Sequence, residues 1–253
     1  MAADEHYAAS GRPGGAQRSG RGPLIALCAA AIACLAVAIT AGIAAHAQLV
    51  RQPDAAQESA AAAQAVAGRW RSWPAGRIFP ATLSYDTQLL TTETANRVGI
   101  SAGSRCATAL DASFAALAAR DRCTAGLRAA YLDQLQGVVY TVGVLAFPST
   151  RLAAEFWAGL HSAAGGAMPL RALALPGTAT ARFSASARQA ATAMHDGPFV
   201  VLTVAGYADG QPAGAGQQPR LSVFAPAAQL ASEVAGPLSR PVTVDCASPA
   251  WSC

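Results

Sequence analysis

The sequence predicts an α+β protein: one transmembrane helix, then an extracytoplasmic domain in which helices cover an antiparallel sheet. Three observations predict it. Leu24–Ala45, LIALCAAAIACLAVAITAGIAA, carries no charge and no proline, and about 20 such residues cross the hydrocarbon core of a bilayer as a helix. Beyond it, apolar residues recur with a helical period in some stretches and alternate like strands in others. Finally, four cysteines follow the span, an even number that fits disulfides on an oxidising side.

Residues 1–23, MAADEHYAASGRPGGAQRSGRGP, are rich in Gly, Ala, Ser and Arg. They hold nothing that could form a core and are expected to be disordered. Arg12, Arg18 and Arg21 flank the apolar run, while Asp4 and Glu5 lie further off. Positive charge beside a membrane helix keeps that flank cytoplasmic. Residues 24–47 are therefore expected to sit in the lipid bilayer of the cell membrane. The N-terminus then lies in the cytoplasm and the rest outside. Two other readings compete. Ala45-His46-Ala47 fits the small-x-small pattern of a cleaved leader, but the run exceeds the usual leader core of about 7–15 residues. Acylation of Cys34 would need a leucine-led motif, and Ala31-Ile32-Ala33 departs from it. Otherwise Cys28 and Cys34 are small apolar residues of a membrane helix.

Residues 48–67, QLVRQPDAAQESAAAAQAVA, combine helix-favouring Ala, Gln and Glu with no broad apolar stripe. They read as a partly helical stalk without a packing partner. The domain, 68–253, opens with GRWRSWPAGRIFP. Its Trp70, Trp73, Ile78 and Phe79 are expected on the core rather than in an interfacial belt.

Within the domain, residues 107–120 read as a helix with Leu110, Phe114 and Leu117 on one face. Leu127, Ala129 and Tyr131 alternate, as do Val138, Tyr140, Val142 and Val144, giving two strands joined near 134–137. Residues 149–160 form a helix with Ser149 or Thr150 as cap and Leu152, Phe156 and Leu160 as its stripe. A second hairpin spans 183–194 and 199–207, turning at Asp196-Gly197. Residues 211–219 form a loop. A last helix spans 226–235, with Pro226 in its first turn and Gly236 at its end. The two hairpins align with an offset of about 60 residues, pairing Arg128 with Arg188, Gly137 with Gly197, Val144 with Val204 and Phe147 with Tyr207, as an internal duplication would. Two repeated hairpins joined in one sheet under helices give an α+β domain, ferredoxin-like in outline.

Of the three possible disulfide pairings, Cys106–Cys123 with Cys246–Cys253 is expected. A straight helix through the 106–123 interval would hold its ends roughly 25 Å apart, whereas a disulfide tolerates about 4.4–6.8 Å between Cα atoms. The helix must therefore stop early and the chain return. The rival, a zinc site, lacks any CxxC or HxxxH element.

The chemistry-bearing residues are sparse. All 18 basic residues are arginines, scattered rather than blocked, which excludes the basic stripe of a nucleic-acid binder. Gly99-Ile100-Ser101-Ala102-Gly103 matches GxSxG, but residues 91–98 before it are polar and poor as a buried central strand, which that motif requires. His161 and His195 are the only histidines after the stalk, and His195 sits at the Asp196-Gly197 turn, where side chains are normally solvated. Asp133, Asp209, Glu155 and Glu233 show no paired spacing. No glycine loop cradles phosphate, and no cofactor or metal is expected. Arg128 and Arg188 are the candidate ligand contacts, an anion site between the two halves.

From RWRSWPAGRIFP through RVGISAGSRC to RAAY…YTVGVLAFP, over Arg69 to about Pro148, the chain resembles single-pass membrane proteins of actinobacteria with an extracytoplasmic domain. The resemblance implies no activity and no site residues. The leading functional expectation is a membrane-anchored, non-enzymatic domain that binds an envelope protein or a surface ligand. The alternatives are a small-molecule sensor module and a serine hydrolase using Ser101 and His195.

Overall fold

The computed structural model describes residues 22–49, 54–163, 169–212, 214, 221–246, 248 and 251. The chain divides into two compact units, residues 1–52 and 53–253. In the first, helix α1 runs Gly22–Leu49. Its Leu24–Ala47 stretch is long and apolar enough to cross a membrane, and none of it is buried. Of the arm expected over 1–23, residues 1–21 lie outside the described residues, and Gly22 and Pro23 belong to α1 instead.

The second unit opens with α2, Ala55–Ala67. Asp54 starts it with a reciprocal cap: Gln57 N donates to Asp54 Oδ1 at 2.9 Å and Asp54 N donates to Gln57 Oε1 at 3.0 Å. Two orphan donors are satisfied there, which fixes the helix start. The stalk expected to stand alone is therefore corrected. Ala61 and Val66 are buried, and Val66 belongs to the core, so α2 docks on the domain. Short turns α3 (Arg69–Ser72) and α4 (Ala75–Ile78) follow. Ile78 and Phe79 are buried and Trp70 and Trp73 pack on the core, as the sequence predicts.

Six strands form one antiparallel sheet: β1 Thr82–Asp86, β2 Thr92–Ile100, β3 Ala125–Leu132, β4 Val138–Ala146, β5 Ala190–Asp196 and β6 Phe199–Tyr207, in the order β1-β2-β3-β4-β6-β5. The β1–β2 hairpin was not expected. Polar β2 is held by backbone pairing on both sides. Only its Ala95 is fully buried, so its polar side chains stay partly in water and are tolerated near the sheet's edge. All nine residues of central β4 are buried, which is why its sequence reads as one apolar run. The expected strand from Phe183 begins only at Ala190, and Phe183 is a buried loop residue. Val144 and Val204, aligned by the 60-residue offset, face opposite sides of the sheet. An offset one residue longer brings β4 and β6 into phase.

Helix α5 (Cys106–Ala109) and α6 (Ala112–Arg120) replace the single helix expected over 107–120. Leu110 breaks it by forming a bridge with Leu170. Asp111 N then donates to Pro169 O, and Arg171 N to Ala109 O, each at 2.9 Å. The chain returns after Arg120, and Cys106 and Cys123 form a disulfide with Cα atoms 6.4 Å apart. Helix α7 is Thr150–Ala163, with Leu152, Phe156 and Leu160 buried and Ser149 Oγ accepting from Leu152 N at 3.4 Å. A one-turn α8 (Leu221–Phe224) leads into α9, Pro226–Ser239. Helix α9 does not stop at Gly236, because Leu238 is buried in the core and Ser239 Oγ donates to Asp196.

The sheet has one core on each face. On one, α9 touches both edge strands, β1 and β5, so the sheet curls around it. Gln229 of α9 donates from Nε2 to Asp86 O at 2.9 Å and accepts from Asp86 N at 2.8 Å, standing in for a missing strand. On the other face lie α5, α6, α7 and the strap 169–175. Leu173 N donates to Thr141 Oγ1 at 2.9 Å. Leu170 occupies the space that a β carbon on Gly143 would need.

Candidate functional site

A cleft of about 630 Å³ opens where the chain turns twice between α2 and α4. Gly68 ends α2, its N–H returning to Gln64 O and Val66 O. Trp73 then leaves α3 in an extended conformation ahead of Pro74. These two reversals gather Arg69, Arg71 and Arg77 beside Trp73, with Val242 and Trp251 on the far wall. The Arg77 guanidinium lies 3.8 Å above the Trp73 ring and that of Arg69 lies 5.0 Å from it. Arg71 stands 5.4 Å over Trp70. Cations over indole faces gain from the ring quadrupole, more so where water is excluded.

Arg69 is also structural. Its Nη1 donates to Leu238 O at 2.8 Å and to Arg240 O at 2.6 Å, capping the carbonyl end of α9. Burial, and then the charges of Arg77 and Arg240, hold its guanidinium below its ordinary range. Positive charge here is thus crowded rather than neutralised. Among the described residues no carboxylate lines the cleft, and none pairs with Arg71 or Arg77. Three cations over aromatic surface, with no counter-charge among the described residues, suit an anionic group with an apolar or planar neighbour.

The residues singled out from sequence lie elsewhere. Arg128 and Arg188 are brought to one element, the strap, and bind its backbone. Arg128 Nη1 donates to Arg171 O at 3.1 Å and Ala172 O at 3.3 Å. Arg188 Nη1 donates to Leu170 O at 2.7 Å and pairs with Asp111 at 2.9 Å. They fasten the strap rather than open an anion pocket. Burial, then Arg171, lowers the Arg128 guanidinium. Ser101 follows β2 and its N–H donates to Arg128 O at 2.9 Å. His195 lies on β5, with β3, β4 and β6 between them, roughly 19 Å across four gaps at ordinary strand spacing. A nucleophile and its base need hydrogen-bond contact, so these two do not form a pair. His161 and His195 instead flank Trp157, with ring centroids 4.1 Å and 6.4 Å from it.

Cys106 and Cys123 are joined as expected. Cys246 is also disulfide-bonded, while Cys253 lies outside the described residues. Cys28 and Cys34 of α1 are free thiols. Among the described residues no three His, Cys, Asp or Glu side chains gather to hold a metal. The arginine cleft escaped the sequence reading because Trp73 reads as core. The signal was RWRSWPAGR itself, in which arginines alternate with indoles. Compared with family models, curated proteins and solved structures, the chain matches none.

Proposed function

We infer that this chain is a membrane-anchored, extracytoplasmic, non-enzymatic binding domain, and that its cleft of Arg69, Arg71 and Arg77 takes an anionic surface ligand of the cell envelope. In this reading α1 is the anchor and the arginines before it keep the N-terminus in the cytoplasm. One observation carries the proposal: three arginines and two tryptophans share an open cleft with no carboxylate among the described residues. The repeat of two hairpin–helix units, ferredoxin-like in outline, belongs to the same proposal. It is supported by matching lengths, nine residues for β4 and β6 and fourteen for α7 and α9.

The test uses the full chain in detergent micelles, titrated with a short-chain phosphatidylglycerol and, in parallel, the matching phosphatidylcholine, while tryptophan fluorescence is followed. Saturable binding of the anionic lipid is expected, weakened about tenfold, or ~1.4 kcal/mol, by Arg71→Gln with Arg77→Gln. Equal response to both lipids, or an unchanged double variant, overturns the ligand assignment. Protease removal of a C-terminal tag from outside intact cells tests the topology, and a tag protected from protease overturns it.

A further inference from the structure

A second cleft, of about 380 Å³, lies at the other end of the β1–β2 hairpin, and it has the opposite chemistry. Strand register sets Tyr85 beside Glu93 and Asp86 beside Thr92, and the β3–β4 loop adds Asp133. Each carboxylate uses one oxygen within the protein. Glu93 Oε2 accepts from the Tyr85 hydroxyl at 2.9 Å, Asp86 Oδ1 from Thr92 Oγ1 at 2.8 Å and Asp133 Oδ1 from Val138 N at 2.8 Å. Among the described residues the second oxygen of each accepts nothing, and no arginine pairs with any of them. Among the described residues no basic side chain lines the cleft.

Tyr140 supplies an independent observation. It lines the same cleft while only 1% exposed, yet its hydroxyl has no hydrogen-bond partner among the described residues. Burial, then Tyr85, Asp133 and Glu93, push this phenol well above its ordinary pKa, so it stays protonated and keeps a lone pair for a donor. The ring is buried while the hydroxyl opens onto the cleft. Here the partner must come from the cleft, and three uncompensated carboxylates around it select a cation that donates hydrogen bonds. The carboxylates do not converge tightly enough to hold a metal ion. An extended cation that bridges them is required, and tyrosine faces add a further attraction for it.

We propose that the cleft of Tyr85, Asp86, Glu93, Asp133 and Tyr140 binds a small aliphatic amine in its protonated form. The site is separate from the arginine cleft and stands whether or not that cleft binds anions. The full chain in detergent micelles is titrated by calorimetry with diaminobutane and, separately, with butanediol, its neutral counterpart. Diaminobutane is expected to bind saturably, and butanediol to give no saturable heat. Glu93→Gln, in which the amide oxygen still accepts from Tyr85, should weaken diamine binding about tenfold. Tyr140→Phe should weaken it about threefold, and Arg77→Gln should leave it unchanged. Circular dichroism verifies folding, and Asp86→Asn replaces any variant that fails it. Butanediol binding as tightly as the diamine marks a neutral polyol site and overturns the proposal. Absence of saturable diamine binding, or a folded Glu93→Gln that binds as well as the parent, overturns it too.

Discussion

Gly206 in β6 lies so close to the carbonyl oxygen of Ala187 that a β carbon at 206 would overlap it, and would also stand 2.8 Å from Phe183 Cε2. The obstacle is backbone, so no rotamer change relieves it. Alanine at 206 must push the 183–189 loop off the sheet, and Phe183 is fully buried beneath that loop. Gly206→Ala should destabilise the domain by about 1–3 kcal/mol. The midpoint of urea denaturation of the full chain in micelles checks it, and an unshifted midpoint contradicts the close approach.

Gly236 gives the opposite sign. It sits inside α9, and apart from its two chain neighbours a β carbon there meets nothing within 4 Å. Gly236→Ala should stabilise by no more than about 0.5 kcal/mol, because the backbone freedom that glycine loses on entering a helix is set against crowding of a β carbon by the Pro237 ring that follows. The same denaturation series measures it, and a lowered midpoint would mean that the proline contact outweighs the gain.

The Cys106–Cys123 bridge closes a loop with a sequence separation of 17. Replacing both cysteines by serine should cost on the order of 3 kcal/mol, chiefly by freeing the unfolded chain. Denaturation with and without reductant checks it. With reductant present, which also opens the bridge of Cys246 in both proteins, the parent and the double serine variant should unfold together; without it the variant should unfold earlier.

Alkali should unfold the domain through its buried phenols. Burial, the first cause for each, raises Tyr85, Tyr131 and Tyr140 above their ordinary value. In the unfolded chain they lose protons from about pH 10 upward, while the folded state retains them. Between those ranges the unfolded state binds fewer protons, so stability falls as pH rises and is complete below about pH 10. Phenolate absorbance in an alkaline titration should therefore rise together with loss of the fold. Tyr140→Phe should flatten the stability decline. Early, fold-independent ionisation of all the tyrosines would refute it.

How far the sequence could be read depends on where the forces lie. Strand β4 and helix α7 are legible because their own residues are buried with a clear period, continuous in β4 and at 152, 156 and 160 in α7. Strand β2 is not, since its partners β1 and β3 supply the order and its side chains remain half in water. The break at Leu110 is equally hidden, for it depends on Leu170, sixty residues away. Both clefts are assembled by folding. One needs α2 and α4 brought against Val242 and Trp251. The other needs Glu93 registered beside Tyr85, with the β3–β4 loop alongside. Arg128 and Arg188 align in the sequence, and a shared strap accounts for both.

The place of β6 between β4 and β5 has a consequence for biogenesis. Until residue 207 has left the ribosome, β4 displays an open backbone edge flanked by nine apolar or small residues that water would otherwise reach. Such an edge invites pairing with another nascent copy. Chains cut short before Phe199 should therefore aggregate rather than accumulate as a smaller folded body, and the segment from Phe199 onward acts as the cover that keeps the earlier strands soluble.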